Sequence, residues 1–354
     1  MNVNRRRLRV PVEALLIASL LLCSTAAVAQ TPFYQGKTLT IIQGTEAGGS
    51  SDMMTKAMLT HLKKHIPGEP TIISEYMPGG GGIKAANHIF KNAKPDGFTI
   101  GRIGGGLVAN AVLGEKGVLY DLNKFIYLGS PHSTYHWVFI TRQEANLKTI
   151  EALRSTPGIR VGAQAVGHSN YFIGRLFSYL IGFKDPKFVV GYGGTELDVA
   201  LMRGELDGRI NNADTLQTRN ADLIAKKAID IHAIMEVPKG LKQPGFERLP
   251  EIEEFAKTEK EHKLLAMIRI FRQIGTPSIL PPGTPPEQVK ILRQAMAKMF
   301  SDPEFHRDYK KFVGEEPTPL SGEEMERAIK ELPRDPEIVD LFKNLNAAGP
   351  LPPR

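Results

Sequence analysis

Cysteine is nearly absent: the 354 residues contain one, Cys23, in an N-terminal stretch that reads as a leader. Without it the chain has no disulfide, no thiolate metal site and no cysteine nucleophile, so its stability must come from a buried core. Aromatic residues make up 7%, with a single tryptophan. No basic stretch is studded with aromatics, which gives nucleic-acid binding no support. Long apolar runs are missing as well. The longest, Ala14 to Leu22, falls short of the roughly 20 residues that span a bilayer. Charge of one sign is not concentrated anywhere. Setting aside Arg5, Arg6, Arg7, Arg9 and Glu13 leaves 41 basic and 37 acidic residues, a net of +4, which is compatible with a small anionic ligand without requiring one.

The basic run, the apolar stretch and the small residues Ala27-Val28-Ala29 together predict a cleaved secretory signal over residues 1–30, with the mature protein starting near Gln30 or Thr31. Leu22 precedes the cysteine where a lipid-modified leader needs a small residue. The expected location is therefore the periplasm. About 325 residues remain, twice a typical domain, which predicts two lobes.

Apolar periodicity then sets out strand and helix in alternation. Thr38 to Ile42 reads as a strand, Ser51 to His65 as a helix with Met54, Ala57, Met58 and Leu62 on one face, and Thr71 to Ile73 as a second strand. Pro78 to Gly82 reads as a turn, Ile83 to Lys91 as a helix and Gly97 to Ile100 as a third strand. A second cycle runs through Trp137 to Ile140, Ile150 to Arg154, Ile159 to Gly162, Tyr171 to Ile181, Phe188 to Val190, Thr195 to Met202 and Leu206 to Ile210. Strand character is expected to resume at Ile268. Proline at the first turn starts a helix over Glu287 to Phe300. The pattern predicts α/β architecture in mostly parallel sheets, with ligands at the carboxyl ends of the strands. The predicted units are a first lobe over 31–133, a second over 134–267, and a return to the first over 268–354.

Three glycine-rich loops are candidates for chemistry. Gly44 to Asp52 lies between a strand and a helix, where backbone N–H groups and the positive helix end can receive a carboxylate. In the plainer reading Ser51 or Asp52 caps the helix while the glycines make the turn. No Gly-Lys-Ser/Thr follows, and G-x-G-x-x-G is absent, so nucleotide binding loses its motif. Pro78 to Gly82 reads as a tight turn with close packing, whereas Gly104-Gly105-Gly106, at a strand's carboxyl end, offers close approach to a ligand. His61 with His65, and His132 with His136, have the spacing of helical metal ligands, but neither pair brings an obvious third ligand; no metal and no cofactor is predicted. A G-x-S-x-G elbow is missing too. No catalytic residue is assigned and the protein is not read as an enzyme, although a hydrolase using Glu46, Asp52 or His168 stands as an alternative.

Five stretches carry a resemblance: Ala47-Gly48-Gly49-Ser50-Ser51-Asp52, Pro78-Gly79-Gly80-Gly81-Gly82, Lys94-Pro95-Asp96-Gly97-Phe98-Thr99, Val189-Val190-Gly191-Tyr192-Gly193-Gly194, and Gly204-Glu205-Leu206-Asp207. In this order and spacing the chain resembles the Bug-type extracytoplasmic receptors of tripartite tricarboxylate transporters, over nearly all its mature length. The resemblance implies a type II periplasmic binding protein, two α/β lobes joined by two crossover strands with a ligand cleft between them. It implies a small organic carboxylate held by backbone amides, hydroxyls and waters, delivery to separate permease subunits in the membrane, and a monomer. A ligand sensor on the same fold is the alternative.

Carried over by motif, the first lobe would contribute Thr45, Glu46, Ala47, Gly48, Gly49, Ser50 and Ser51 together with Gly104, Gly105 and Gly106. The second would contribute Val166, Gly167, His168, Ser169 and Asn170, then Tyr192, Gly193, Asn211 and Asn212. The sequence departs from the family where the loops would face a solute. Gly44-Thr45-Glu46 stands where proline and an aromatic are usual, Ala163 to His168 replaces a serine-rich loop, and Asn211 replaces a frequent aspartate. His168 could contact an anion or sense protonation; a histidine satisfied by water fits equally.

Overall fold

The computed structural model describes residues 31–45, 47–48, 50–104, 106–166, 168–193 and 195–354. The predicted leader with Cys23, and the candidate residues Glu46, Gly49, Gly105 and Gly167, lie outside the described residues, as does the side chain of Ser50.

The first strand, β1 (Thr38–Gln43), is rich in β-branched residues and buried on both faces from Ile41 onward, as a central strand requires. It pairs in parallel with β2 (Thr71–Tyr76) and β3 (Thr99–Arg102). Between them, helix α1 (Ser50–His65) has Asp52 in its first turn and Lys63, Lys64 and His65 in its last, each complementing the helix dipole. Its Ala57, Met58 and Leu62 pack on Leu39 and Ile41. Helices α2 (Ile83–Lys91) and α3 (Gly106–Leu113) lead to β4 (Ile126–Ser130).

The chain then crosses to a second sheet through residues 131–136. There it builds β5 (Trp137–Arg142), α4 (Ile150–Ser155), β6 (Arg160–Gly162), α5 (Ser169–Ile181), β7 (Lys187–Val189), α6 (Glu196–Met202), β8 (Gly208–Asn212), α7 (Ala213–Gln217), α8 (Ala221–Ala225) and β9 (Ile229–Met235). Helix α9 (Glu259–Gln273) follows, opened by a capping box between Thr258 and Glu261. Residues 274–277 cross back to β10 (Ser278–Leu280), then α10 (Pro286–Phe300), α11 (Pro303–Val313), β11 (Leu320–Ser321), α12 (Gly322–Glu331) and α13 (Pro336–Asn346).

The sheet orders are β11-β4-β10-β3-β1-β2 and β7-β6-β8-β5-β9. In each, one strand from the opposite end of the chain path is inserted antiparallel between its neighbours: β10 between β3 and β4, and β5 between β8 and β9. Both sheets are therefore mixed, where the alternation of elements suggested mostly parallel ones. The two crossings begin or end at these inserted strands, which places two short connections side by side as a natural hinge.

Two local expectations give way. Ile268, where strand character was expected, lies inside helix α9, because Leu264, Leu265, Ile268 and Phe271 are buried at helical spacing. The last part of the segment assigned to the first lobe packs against the second sheet's helices. Phe172 on α5 meets Phe342 on α13 at 4.4 Å between ring centroids, and Arg175 donates to the carbonyls of Leu345, Gly349 and Pro350 at 2.7–2.9 Å. Among the described residues no helix is long and apolar enough to cross a membrane.

Candidate functional site

At the carboxyl ends of β1 and β3, where both crossings pass, lies a cleft of about 540 Å³. The loops after β1 and β3 and the start of α1 supply Thr45, Gly48, Ser51, Met54 and Gly104; the first crossing supplies His132 and Tyr135; the end of α9 and the second crossing supply Arg272, Gly275 and Thr276. Phe312, Val313 and Glu315 close it from the end of α11 and the loop beyond.

Arg272 is the cation of this cleft. Its guanidinium lies 4.0 Å from the ring centre of Tyr135 and 5.0 Å from that of Trp137. Such stacking fixes the plane of the fork and leaves its N–H edges to face a partner. Among the described residues that partner is not a protein group: Arg272 makes no hydrogen bond or ion pair, and its Nε is buried without an acceptor. Burial lowers the pKa of the group, with Tyr135 and Glu315 opposing the shift; a guanidinium nevertheless stays charged. A cation held this way is a receptor for a planar carboxylate, which it can engage with two parallel hydrogen bonds.

Other polar atoms around the cleft are also unspent. Among the described residues, Thr45 Oγ1, His132 Nδ1 and Trp137 Nε1 are buried without a partner, and buried polar atoms in native proteins are generally paired. Burial, helped by Arg272, pushes His132 down to about 4, so the ring is neutral at pH 7. Glu315 Oε2 lies 3.8 Å from His132 Nε2, and burial followed by the charge of Asp214 raises the pKa of its carboxyl.

The predicted site residues divide between this cleft and other places. Thr45, Gly48, Ser51 and Gly104 line it, while Ala47 is exposed beside it. The backbone donor of Gly48 is already engaged, because Asp52 Oδ2 accepts from it at 2.7 Å. Asp52 also accepts from Gln43 at 3.0 Å and Tyr76 at 2.9 Å and pairs with Lys56 at 2.8 Å, so it serves as the loop's own carboxylate. Gly106 packs against the Pro78 to Gly82 turn: a Cβ there would lie 2.3 Å from the carbonyl oxygen of Gly81.

From the second lobe, Val166 lines a separate cavity of about 750 Å³ beneath the C-terminal tail. His168 caps α5, its Nδ1 accepting from the Asn170 amide at 3.2 Å, with Ser169 exposed beside it. Tyr192 donates to Glu205 at 3.3 Å, and the Gly193 amide donates to Glu196 at 2.5 Å. Asn211 donates to Asn220, and Asn212 caps α7. None of the described residues of the 166–170 loop or the 192–193 turn lines the cleft. Sequence reasoning passed over Arg272, Tyr135, His132 as a lining residue, and Glu315. Of the two histidine pairs, His136 accepts from the Val237 amide at 3.0 Å. His61 does lie near Asp302 and Glu304, but the Lys64 ammonium stands 2.6 Å and 2.9 Å from those carboxylates.

No protein-family model matches the sequence. A UPF0065 protein of Bordetella bronchiseptica is 24% identical over 310 residues, covering 82% of this chain and 81% of its own. A TctC solute-binding protein from Polaromonas superposes with a TM-score of 0.65 at 21% identity, over 88% of this chain and 98% of that one. The chain has the fold of the TctC and Bug-type periplasmic binding proteins. The periplasmic binding protein BugD superposes at a TM-score of 0.55 and 18% identity, again over 88% of this chain and 98% of its own. MatC from Rhodopseudomonas palustris, solved with bound malate, superposes at 0.53 and 19%, over 88% of this chain and 99% of its own. The resemblance read from the five sequence stretches and the architecture thus agree.

Proposed function

We propose that this chain is an extracytoplasmic solute-binding receptor that captures a small organic carboxylate in the cleft between its two sheets and presents it to permease subunits in the membrane. The observation that carries this reading is Arg272: a stacked, unpaired guanidinium in a cleft at the hinge of a TctC-type fold. The malate bound by MatC, a protein of the same fold, supports a carboxylate as the class of solute. Thr45, Ser51 and the Gly104 turn are proposed to complete the first lobe's side. The second-lobe candidates 166–170, 192–193 and 211–212 would reach the solute only as the lobes close, a population shift stabilised by contacts to both halves. The reading places the protein in the periplasm after removal of residues 1–30, and assigns it no catalysis. Of Glu46, Asp52 and His168, named as possible hydrolytic groups, Asp52 accepts from the Gly48 amide and His168 caps α5, while Glu46 lies outside the described residues.

A thermal-shift screen of organic acids against neutral analogues tests this, because a ligand that binds only the native state raises its melting temperature with concentration. Organic acids should raise it and neutral compounds should not. Arg272→Gln should weaken binding of the best acid about 10- to 100-fold, the equivalent of the roughly 1.5–3 kcal/mol of a charge-assisted hydrogen bond. Shifts confined to neutral compounds would end the carboxylate reading.

A further inference from the structure

A dicarboxylate and a zwitterion make different demands on a cleft, and the groups around Arg272 distinguish them. We propose that the solute carries one carboxylate, taken by Arg272, and one ammonium, taken by Glu315. This inference rests on the reading above.

Among the described residues the lining contains one cation, Arg272, and one acid, Glu315. Arg272 and Glu315 face the same 540 Å³ space and feel each other's charge, but among the described residues no hydrogen bond or ion pair joins them, so the hydrogen-bonding edge of each stays open to a solute. His132, the third titratable group of the lining, is neutral at pH 7 and supplies no positive charge to a second carboxylate. Asp214 lies close enough to act on Glu315, His132, Tyr135 and His136 alike, which tilts this end of the cleft further toward negative potential. Lys56, the cation at the start of α1, is committed to Asp52 at 2.8 Å. Among the described charged groups of the lining a diacid would therefore find a partner for one end only, while its other end met Glu315. Like charges brought together in a partly desolvated site repel, so this arrangement selects against diacids as well as for zwitterions. The exposure of Glu315 fits a receptor group: it lines the cleft, its side chain keeps 30% of its accessible surface, and among the described residues it accepts no hydrogen bond.

Isothermal titration of the purified protein with matched unbranched series tests the proposal: three- to six-carbon fatty acids, the α- and ω-amino acids of the same lengths, and the diacids. The best amino acid should bind at least tenfold more tightly than both its fatty-acid and its diacid counterpart. Glu315→Gln should lower the amino-acid to fatty-acid affinity ratio at least tenfold, and Glu315→Asp should restore part of it. Diacids binding most tightly, or a ratio unmoved by Glu315→Gln, would overturn the zwitterion inference and leave the carboxylate receptor intact. If no compound of any series bound, the carboxylate reading itself would fall, and this inference with it.

Discussion

Asp52 has no exposed surface, and an ionised carboxylate in such a place is costly unless it is hydrogen-bonded and paired. Burial pushes its pKa up. The bonds from Lys56, the Gly48 amide, Gln43 and Tyr76 outweigh that and hold the carboxyl well below the usual range. Because the folded pKa lies below the unfolded value of about 3.9, the stabilisation is fully present above that pH and fades as pH falls beneath it. Asp52→Asn should therefore melt several degrees below the wild type at pH 7, with the gap narrowing toward pH 3. A gap that stayed constant with pH would show that the charge of Asp52 does not stabilise the loop. The same residue explains part of what sequence could not settle. Helix-start donors and a nearby aspartate fit a ligand loop and a self-capped loop equally well, and only the 2.7 Å contact to Gly48 decides between them. Arg272 was illegible for a different reason: nothing in its local sequence distinguishes it from a surface arginine on a helix, and its stacking partners Tyr135 and Trp137 come from the first crossing and the start of β5.

Elements with a strong period were legible. Strands β1 to β3, helices α1 and α2, and the α5 helix under Tyr171 to Ile181 lie close to where the apolar spacing puts them. Helix α9 was misread because Ile268-Arg269-Ile270 alternates like a strand, while the helical period shows only over the longer run from Leu264 to Phe271. Strand β9 escaped because Asp230 and His232 interrupt its apolar character; His232 is buried against Thr141 at 2.7 Å, a contact that sequence does not reveal. Glycine packing gives an element-level prediction. Gly79 to Gly82 all have positive φ, between 57° and 137°, a conformation that side chains disfavour, and their carbonyl at Gly81 fits against Gly106. Gly106→Ala forces that turn away from α3 and should cost about 1–3 kcal/mol, as overpacking in a well-packed site does. Chemical denaturation would read this directly; an unchanged midpoint would mean that the two glycine stretches do not lean on one another.

The whole molecule repeats one plan. Each sheet receives an antiparallel strand from the far end of the chain path, so the two halves are tied at adjacent crossings, and the space between them opens at the strands' carboxyl ends. The two-lobe division was readable from length and from the alternation of strands and helices. The position of the C-terminal helix was not, because α13 is amphipathic and could cover either half. It packs on α5 and α9 of the second sheet while also touching α3 of the first, and its Leu341, Phe342 and Leu345 belong to a core that spans both. The proposed function follows from the cleft that this plan creates and from Arg272, which makes no hydrogen bond or ion pair among the described residues. The most direct test is a crystal structure of the protein with the acid that most raises its melting temperature. The account predicts the carboxylate within hydrogen-bond distance of the Arg272 guanidinium, with Thr45 or Ser51 beside it. A carboxylate bound at the 166–170 loop, or in the cavity under the C-terminal tail, with Arg272 untouched, would contradict it.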